Sequence, residues 1–270
     1  MNMSNNYSIA DLRYLMARLR DPQTGCPWDL KQTYSSIAPY TVEEVYEVVD
    51  AIGRNDLTDL SEELGDLLFQ IIFYCQLAEE QGQFDFDKVV ATITSKLIRR
   101  HPHVFPEGTL ESTREGTSID EQQIKRNWES IKQQERQQKG NSGILDDIPL
   151  ALPALSRAAK LQKRAASFGF DWTEVGDVID KVKEELDELQ HEVDHGDQSS
   201  REDELGDLMF ACVNLARHLS IDPERALALA NNKFKRRFES VDAELDLKQN
   251  QAQSIETLEK AWQNAKKAEA

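Results

Sequence analysis

Positive charge is in short supply: 32 lysines and arginines stand against 49 aspartates and glutamates, for a formal net charge of −17. A phosphate backbone would be repelled by such a chain unless a local basic patch or a metal intervened, so nucleic acid is not an expected partner. Cysteine is rarer still. Cys26, Cys75 and Cys212 lie far apart, with no CxxC or Cys/His spacing, which excludes a disulfide framework and a zinc site of the usual kind. Long hydrophobic runs are missing as well: the most apolar stretch, Leu67 to Ala78, is interrupted by Gln70 and Gln76, too polar and too short to span a bilayer. The first residues, Met1-Asn2-Met3-Ser4, carry neither a basic nor an apolar signal region, so the expectation is a soluble, cytoplasmic protein with no membrane partner. Alternating patterns of the kind that mark strands do not occur over any useful length, and glycine and proline are scarce inside long stretches.

What fills those stretches is helical periodicity. Apolar residues recur at three- and four-residue spacing in Val42, Val45, Val49, Ile52 and in Leu60, Leu64, Leu67, Ile71, each series predicting one face of a helix. Between them Gly53-Arg54-Asn55-Asp56 reads as a turn short enough to make the two helices antiparallel neighbours. With 39% hydrophobic residues in 270, the chain can bury a core, and the predicted fold class is all-α. Periodicity is lost around Gln137-Gln138-Lys139-Gly140-Asn141-Ser142-Gly143, which predicts an N-terminal helical domain over 1–136, a linker over 137–148 and a C-terminal helical domain over 149–270.

The two halves repeat each other. A shift of 141 residues carries Glu43, Glu44 and Glu47 onto Glu184, Glu185 and Glu188, and carries Glu63-Leu64-Gly65-Asp66-Leu67 onto Glu204-Leu205-Gly206-Asp207-Leu208, without a gap. Lys96 and Arg100 fall on Lys233 and Arg237 at a shift of 137, and Trp128 and Lys132 on Trp262 and Lys266 at 134. Order is kept throughout, as expected of a tandem duplication of one helical-bundle unit.

In each copy Glu-Glu-x-x-Glu lies on one helix and Glu-x-x-Asp on the next, and these spacings gather the side chains on one face of each helix. Carboxylates crowded between two helices repel one another, so the cluster either takes up protons or holds a cation. A set of oxygen donors alone suits a hard divalent ion, magnesium first, which keeps waters and bridges to phosphates. A solvated acidic surface is the plain alternative for any single residue; the same five-residue pattern at one offset argues against it for the set. Glycine inside each Glu-Leu-Gly-Asp costs about 1 kcal/mol relative to alanine in a helix, and its presence in both copies predicts close approach of another backbone or a ligand. Glu188-Leu189-Gln190-His191 offers one Glu-x-x-His of the di-iron type, but that architecture needs two such pairs. His101 and His103 are expected in a loop after a helix. Lys233 with Arg237, and Trp262 with Lys266, each share a helix face, suited to a triphosphate and a base or to surface ion pairs and a core tryptophan.

These residues together resemble the MazG family of nucleoside triphosphate pyrophosphohydrolases. The marks are Glu43-Glu44-Val45-Tyr46-Glu47 with Glu62-Glu63-Leu64-Gly65-Asp66, Glu184-Glu185-Leu186-Asp187-Glu188 with Asp203-Glu204-Leu205-Gly206-Asp207, Cys26-Pro27-Trp28-Asp29, the Arg100–Phe105 and Ala165–Trp172 segments, and Lys233-Phe234-Lys235-Arg236-Arg237. The resemblance implies magnesium-dependent hydrolysis, with manganese as substitute, of nucleoside triphosphates between the α and β phosphates, and a homodimer. It implies metal ligands Glu185, Glu188, Glu204 and Asp207, with Glu184 orienting or deprotonating the attacking water. Lys233, Arg237 and Lys266 would neutralise the triphosphate, and Trp262, Phe168 and Trp172 would line the nucleotide site. In the first copy Glu44, Glu47, Glu63 and Asp66 would hold metal with Glu43 as base, and Lys96, Arg100, Trp128 and Lys132 would take the corresponding places.

One difference favours the second copy: Asn214, two turns beyond Asp207, offers an amide to a phosphate oxygen or water where the first copy has Phe73. Two alternatives stay open beside the hydrolase, a non-catalytic helical nucleotide-binding or regulatory protein and a hydrolase specialised for one nucleotide. A regulatory protein partner also remains open.

Overall fold

The structure, a computed structural model, describes residues 6–114, 120, 123–124, 126–128, 130–131, 135, 143–247 and 253–269. The chain divides into two compact units, Met1–Lys132 and Gln133–Ala270. Among the described residues every regular element is helical, and no helix is long and apolar enough to cross a membrane.

The first unit includes the helices α1 (Ile9–Leu19), α2 (Tyr34–Arg54), α3 (Leu57–Glu80) and α4 (Phe86–Arg100), with a 3-10 turn at Asp29–Lys31. Local chemistry sets where they start. Ser8 and Asp11 exchange hydrogen bonds at the head of α1, and Thr33 and Ser36 do so at the head of α2. The turn between α2 and α3 is shorter than the sequence suggests: Gly53 and Arg54 are still helical, and only Asn55 and Asp56 lie outside. Asn55 adopts a left-handed conformation (φ 56°), which an asparagine tolerates, and Asp56 accepts the amide hydrogens of Thr58 and Asp59. Arg54 then ties Asp50, Asp56 and Asp59 together across the junction. α1 and α4 both pack on α3. The core is Met16, Ile37, Ile72, Phe73 and Leu77, with Leu12, Leu68, Phe69, Tyr74 and Phe86 around it.

The second unit holds α5 (Ala154–Ala166), α6 (Val175–His195), α7 (Gln198–His218), α8 (Pro223–Leu245) and α9 (Ile255–Ala268). Its α6–α7 turn repeats the aspartate cap of the first unit at the same offset, although the residue before it, Gly196, is extended (φ −86°) where Asn55 is left-handed. Asp197 accepts the amide hydrogens of Ser199 and Ser200, with Gly196 in the place of Asn55. α5 packs on α7 and α8, and α9 packs on α8. Val241, Ala261 and Ala265 form a small core there with Leu245, Leu258 and Trp262.

The apolar stripe that marks α2 in the sequence does not lie in that core. Val42, Val45, Val49 and Ile52 are all exposed, as are Leu186, Val193, Leu205 and Met209 on α6 and α7. Periodicity predicts that a helix has a face to cover; within one chain, α2–α3 and α6–α7 cover only the side turned to the core. A row of exposed apolar side chains along one helix face is the kind of surface that a partner covers.

Candidate active site

The two antiparallel hairpins, α2–α3 and α6–α7, bring the predicted carboxylates together. Oxygens of Glu44, Glu63 and Asp66 lie within 4.8 Å of one another, and so do those of Glu185, Glu188 and Glu204. Glu47 and Asp207, the fourth predicted ligand of each copy, stand outside these groups of three, and Glu43 is exposed on α2. Crowding is visible in the acidities. Glu204 is held above its ordinary value of 4.5, first by desolvation and then by Glu188, Asp207, Glu185 and Asp203. Glu44 is raised by desolvation and by Asp66, and Glu63 by desolvation and by Glu47. Carboxylates that resist ionisation, first through desolvation and then through one another, with no nitrogen or sulfur donor among them, fit a hard divalent cation.

The charge has a pH consequence. A carboxyl whose folded value is raised favours its protonated form, so its contribution to stability is present below 4.5 and is lost as pH rises through the folded value. A cation needs the ionised form. The rise in melting temperature on adding millimolar magnesium is therefore expected to be small near pH 4.5 and to grow towards pH 7, as read by calorimetry across a buffer series; a rise independent of pH would contradict it.

The second copy differs from the first in what surrounds this cluster. Glu185 is 7% exposed, and the ammonium of Lys181 lies 2.8 Å from it and 2.7 Å from Glu184, an arrangement that pushes the Lys181 pKa up. Beside Glu185 and Asp207 opens a cavity of about 320 Å³. Leu161 and Ala165 of α5, Phe170 and Trp172 of the following loop, and Phe210 of α7 give it apolar walls. Gln162, Asn214 and Arg217 also line it. The Nε and Nη2 of Arg217 donate to Asn214 Oδ1 (3.1 and 2.6 Å), and Nη1 donates to Asp171 (2.9 Å). Asp171 also faces His218 Nε2 at 3.0 Å, and its carboxyl is held below the usual range, by Arg217 first. An apolar chamber with a few polar groups, opening on an acidic cluster, can take a flat ring at one end and present a charged group at the other.

In the first copy a core side chain stands at the position of Asn214. That residue, Phe73, is 1% exposed and packs with Met16 and Ile72, and the Arg20 guanidinium lies 5.3 Å over its ring. Tyr40 stands where Lys181 does, at the offset of 141.

Of the other predicted residues, Trp172 lines the cavity, whereas Phe168 does not; Phe170, two residues on, takes that place. Lys233 and Arg237 on α8, and Trp262 and Lys266 on α9, are not among the cavity's lining residues. The rings of Trp262 and Phe234 lie 5.2 Å apart, and Arg236 and Arg237 share the carboxylate of Glu269. Lys96 and Arg100 lie on α4, and Trp128 has its ring 6.4 Å from His101; Lys132 falls outside the described residues. His191 stacks on His195 at 4.7 Å and is not part of the carboxylate group. A Cβ built on Gly65 or Gly206 meets no atom within 4 Å, so the predicted close approach at these glycines does not come from this chain's own described backbone.

Lys181, Gln162 and the Asp171–Arg217 pair escape the sequence reading. Lys181 has a signal, three and four residues ahead of Glu184 and Glu185 on one helix face. Gln162 has none.

The chain matches the MazG nucleotide pyrophosphohydrolase domain twice, over residues 32–105 and 174–241. It is 51% identical over 265 residues to the nucleoside triphosphate pyrophosphohydrolase of Escherichia coli K12, covering 97% of this chain and 98% of that protein. The Thermotoga maritima nucleoside triphosphate pyrophosphohydrolase/pyrophosphatase MazG is 41% identical over 258 residues, 95% of this chain and 94% of that one. A Mycobacterium tuberculosis nucleoside triphosphate pyrophosphohydrolase is 34% identical over 181 residues, 66% of this chain and 51% of that one. With the domain present in both hairpin units and such similarity along nearly its whole length, the chain belongs to the MazG nucleotide pyrophosphohydrolase family.

Proposed function

We propose that this protein hydrolyses nucleoside triphosphates between the α and β phosphates, releasing the nucleoside monophosphate and pyrophosphate, and that the second copy is the working site. The observation that carries this reading is the adjacency of the apolar cavity to Glu185 and Asp207, which the first copy replaces with a packed Phe73. The nucleoside enters between Trp172, Phe170 and Phe210, and the triphosphate runs out towards the carboxylates.

Glu185, Glu188, Glu204 and Asp207 would hold a divalent ion, magnesium or manganese as its substitute, which when bound would supply charge neutralisation and Lewis acidity to the polyphosphate oxygens. Glu184, exposed beside them, orients the attacking water and takes its proton. Lys181 neutralises the cluster before substrate arrives and turns to a phosphate oxygen afterwards.

The open stripes on α2, α6 and α7 support a homodimer, and a second copy seated there accounts for Gly65 and Gly206, whose bare surfaces admit a close neighbour. Lys233, Arg237, Lys266 and Trp262 serve the triphosphate in that assembly, with Arg237 released from Glu269.

The test is product analysis: pure protein with magnesium and a panel of normal, deoxy and deaminated triphosphates should yield monophosphate and pyrophosphate in equal amounts. Orthophosphate as the first product, or tight binding with no product, would overturn the reading.

A further inference from the structure

We infer that Asp171 and Arg217 are positioning residues for the base end of the substrate: their ion pair ties the loop after α5 to α7, so that Phe170 and Trp172 already stand as the cavity's aromatic wall when a nucleoside arrives. This rests on the assignment of the cavity to the nucleoside. The guanidinium meets the carboxylate with two prongs, Nη1 donating to Oδ2 at 2.9 Å and Nη2 to Oδ1. Arg217 is itself set in advance, because its Nε and Nη2 also donate to Oδ1 of Asn214, three residues earlier on the same helix. On the loop side Asp171 Oδ1 accepts the backbone N–H of Trp172 at 3.0 Å, and His218 Nε2 lies 3.0 Å from the same oxygen. Among the described residues no other hydrogen bond joins residues 170–174 to α7.

Packing gives that segment little other hold. Phe170 is 80% exposed and Trp172 41%, although both line the cavity. The pair itself is sheltered: the side chains of Asp171, Arg217 and His218 keep only 24%, 20% and 11% of their surface. A two-pronged, charge-assisted pairing that is partly screened from water holds harder than an ion pair on the open surface. A wall fixed beforehand spares the substrate the cost of ordering the loop on binding, which appears as affinity. The repeat supplies the contrast. At the offset of 141 the first copy has Phe73, Gln76 and Leu77 where the second has Asn214, Arg217 and His218, so the helix side of the tie is missing from the copy in which Phe73 belongs to the core.

The experiment measures kcat and KM for ATP with magnesium, and Kd for the α,β-methylene analogue by calorimetry, in the wild-type protein, Asp171→Asn and Arg217→Lys. Apparent affinity falls in proportion to the fraction of time the wall is in place, so KM and Kd of Asp171→Asn are expected to rise roughly tenfold, with kcat within about twofold of wild type. Arg217→Lys keeps the charge without the fork, and its KM and Kd should rise by about threefold. A folding defect does the reverse, lowering the active fraction and with it kcat while KM stays where it was. Action through the wall is read from Trp172→Ala, which should raise Kd by about tenfold in the wild-type background and by less than about threefold in Asp171→Asn, where the ring is no longer held in place. Unchanged KM and Kd in both variants, a loss confined to kcat, or an equal cost of Trp172→Ala in the two backgrounds overturns the inference. A shift in Kd with no pyrophosphate released from any nucleotide would sink the hydrolase reading and leave this one standing.

Discussion

Glu185→Gln is expected to lower kcat by about 10²–10³-fold at saturating magnesium and nucleotide, the scale seen when one electrostatic support of a reacting phosphate is removed, whereas Glu44→Gln should stay within about twofold of wild type. The two residues occupy the same place in the repeat, each in a group of three carboxylates. Their surroundings separate them. Glu185 is the buried member of its group, lines the cavity and is paired with Lys181. Neutralising it leaves Lys181 with Glu184 alone as partner and removes the buried carboxylate of the group that lines the cavity. Glu44 instead accepts a long bond from Gln70 Nε2 at 3.5 Å, and the position of Asn214 in its copy is held by the core residue Phe73. Parallel steady-state assays of the two variants decide the matter. A larger loss in Glu44→Gln would move the working site to the first unit.

The repeat that leads to this comparison is legible in the sequence because both copies keep one register across two helices. The offset of 141 that aligns Glu44 with Glu185 also aligns Asp56 with Asp197, and each of these aspartates starts the second helix of its hairpin by accepting two amide hydrogens. A capping residue fixed at the turn keeps the carboxylates of the two helices opposite one another. Which face of α2 is covered is not legible: the period of Val42, Val45, Val49 and Ile52 marks a face that needs a partner, not which molecule supplies it, and these residues are exposed. The cavity is hidden for another reason. Its walls come from α5, the loop after it, α6 and α7, and it exists because side chains leave space rather than because any motif is present. Hence of the two residues named from the resemblance, Trp172 lines the cavity while Phe168 does not and Phe170 stands there instead, and Gln162 carried no signal. The substitution of Asn214 for Phe73 is the visible trace of that space.

Phe73 should accordingly behave as core, not as part of a site. Phe73→Ala is expected to destabilise the first unit by about 3–5 kcal/mol, the usual result of truncating a fully packed ring when the neighbours relax only in part. The ring meets Phe69 edge-on at 6.0 Å and packs with Met16, Ile37 and Ile72. Arg20 lies over its face, held there by Glu80 at 2.6 and 2.8 Å and by the carbonyl oxygen of Asp29. A guanidinium so anchored does not swing into the vacated space, and α1 and α2, which carry Met16 and Ile37, are already in contact with α3, so most of the void should persist. Urea unfolding followed by far-UV dichroism reads the loss, taken from the transition of the first unit if the two units melt separately. Below that transition kcat should be unchanged, since the mutation leaves the carboxylates and cavity of the second unit untouched. A loss under about 1.5 kcal/mol would mean that this region is loosely packed, and with it would go the argument that Phe73 is core where the second copy has Asn214 at its cavity.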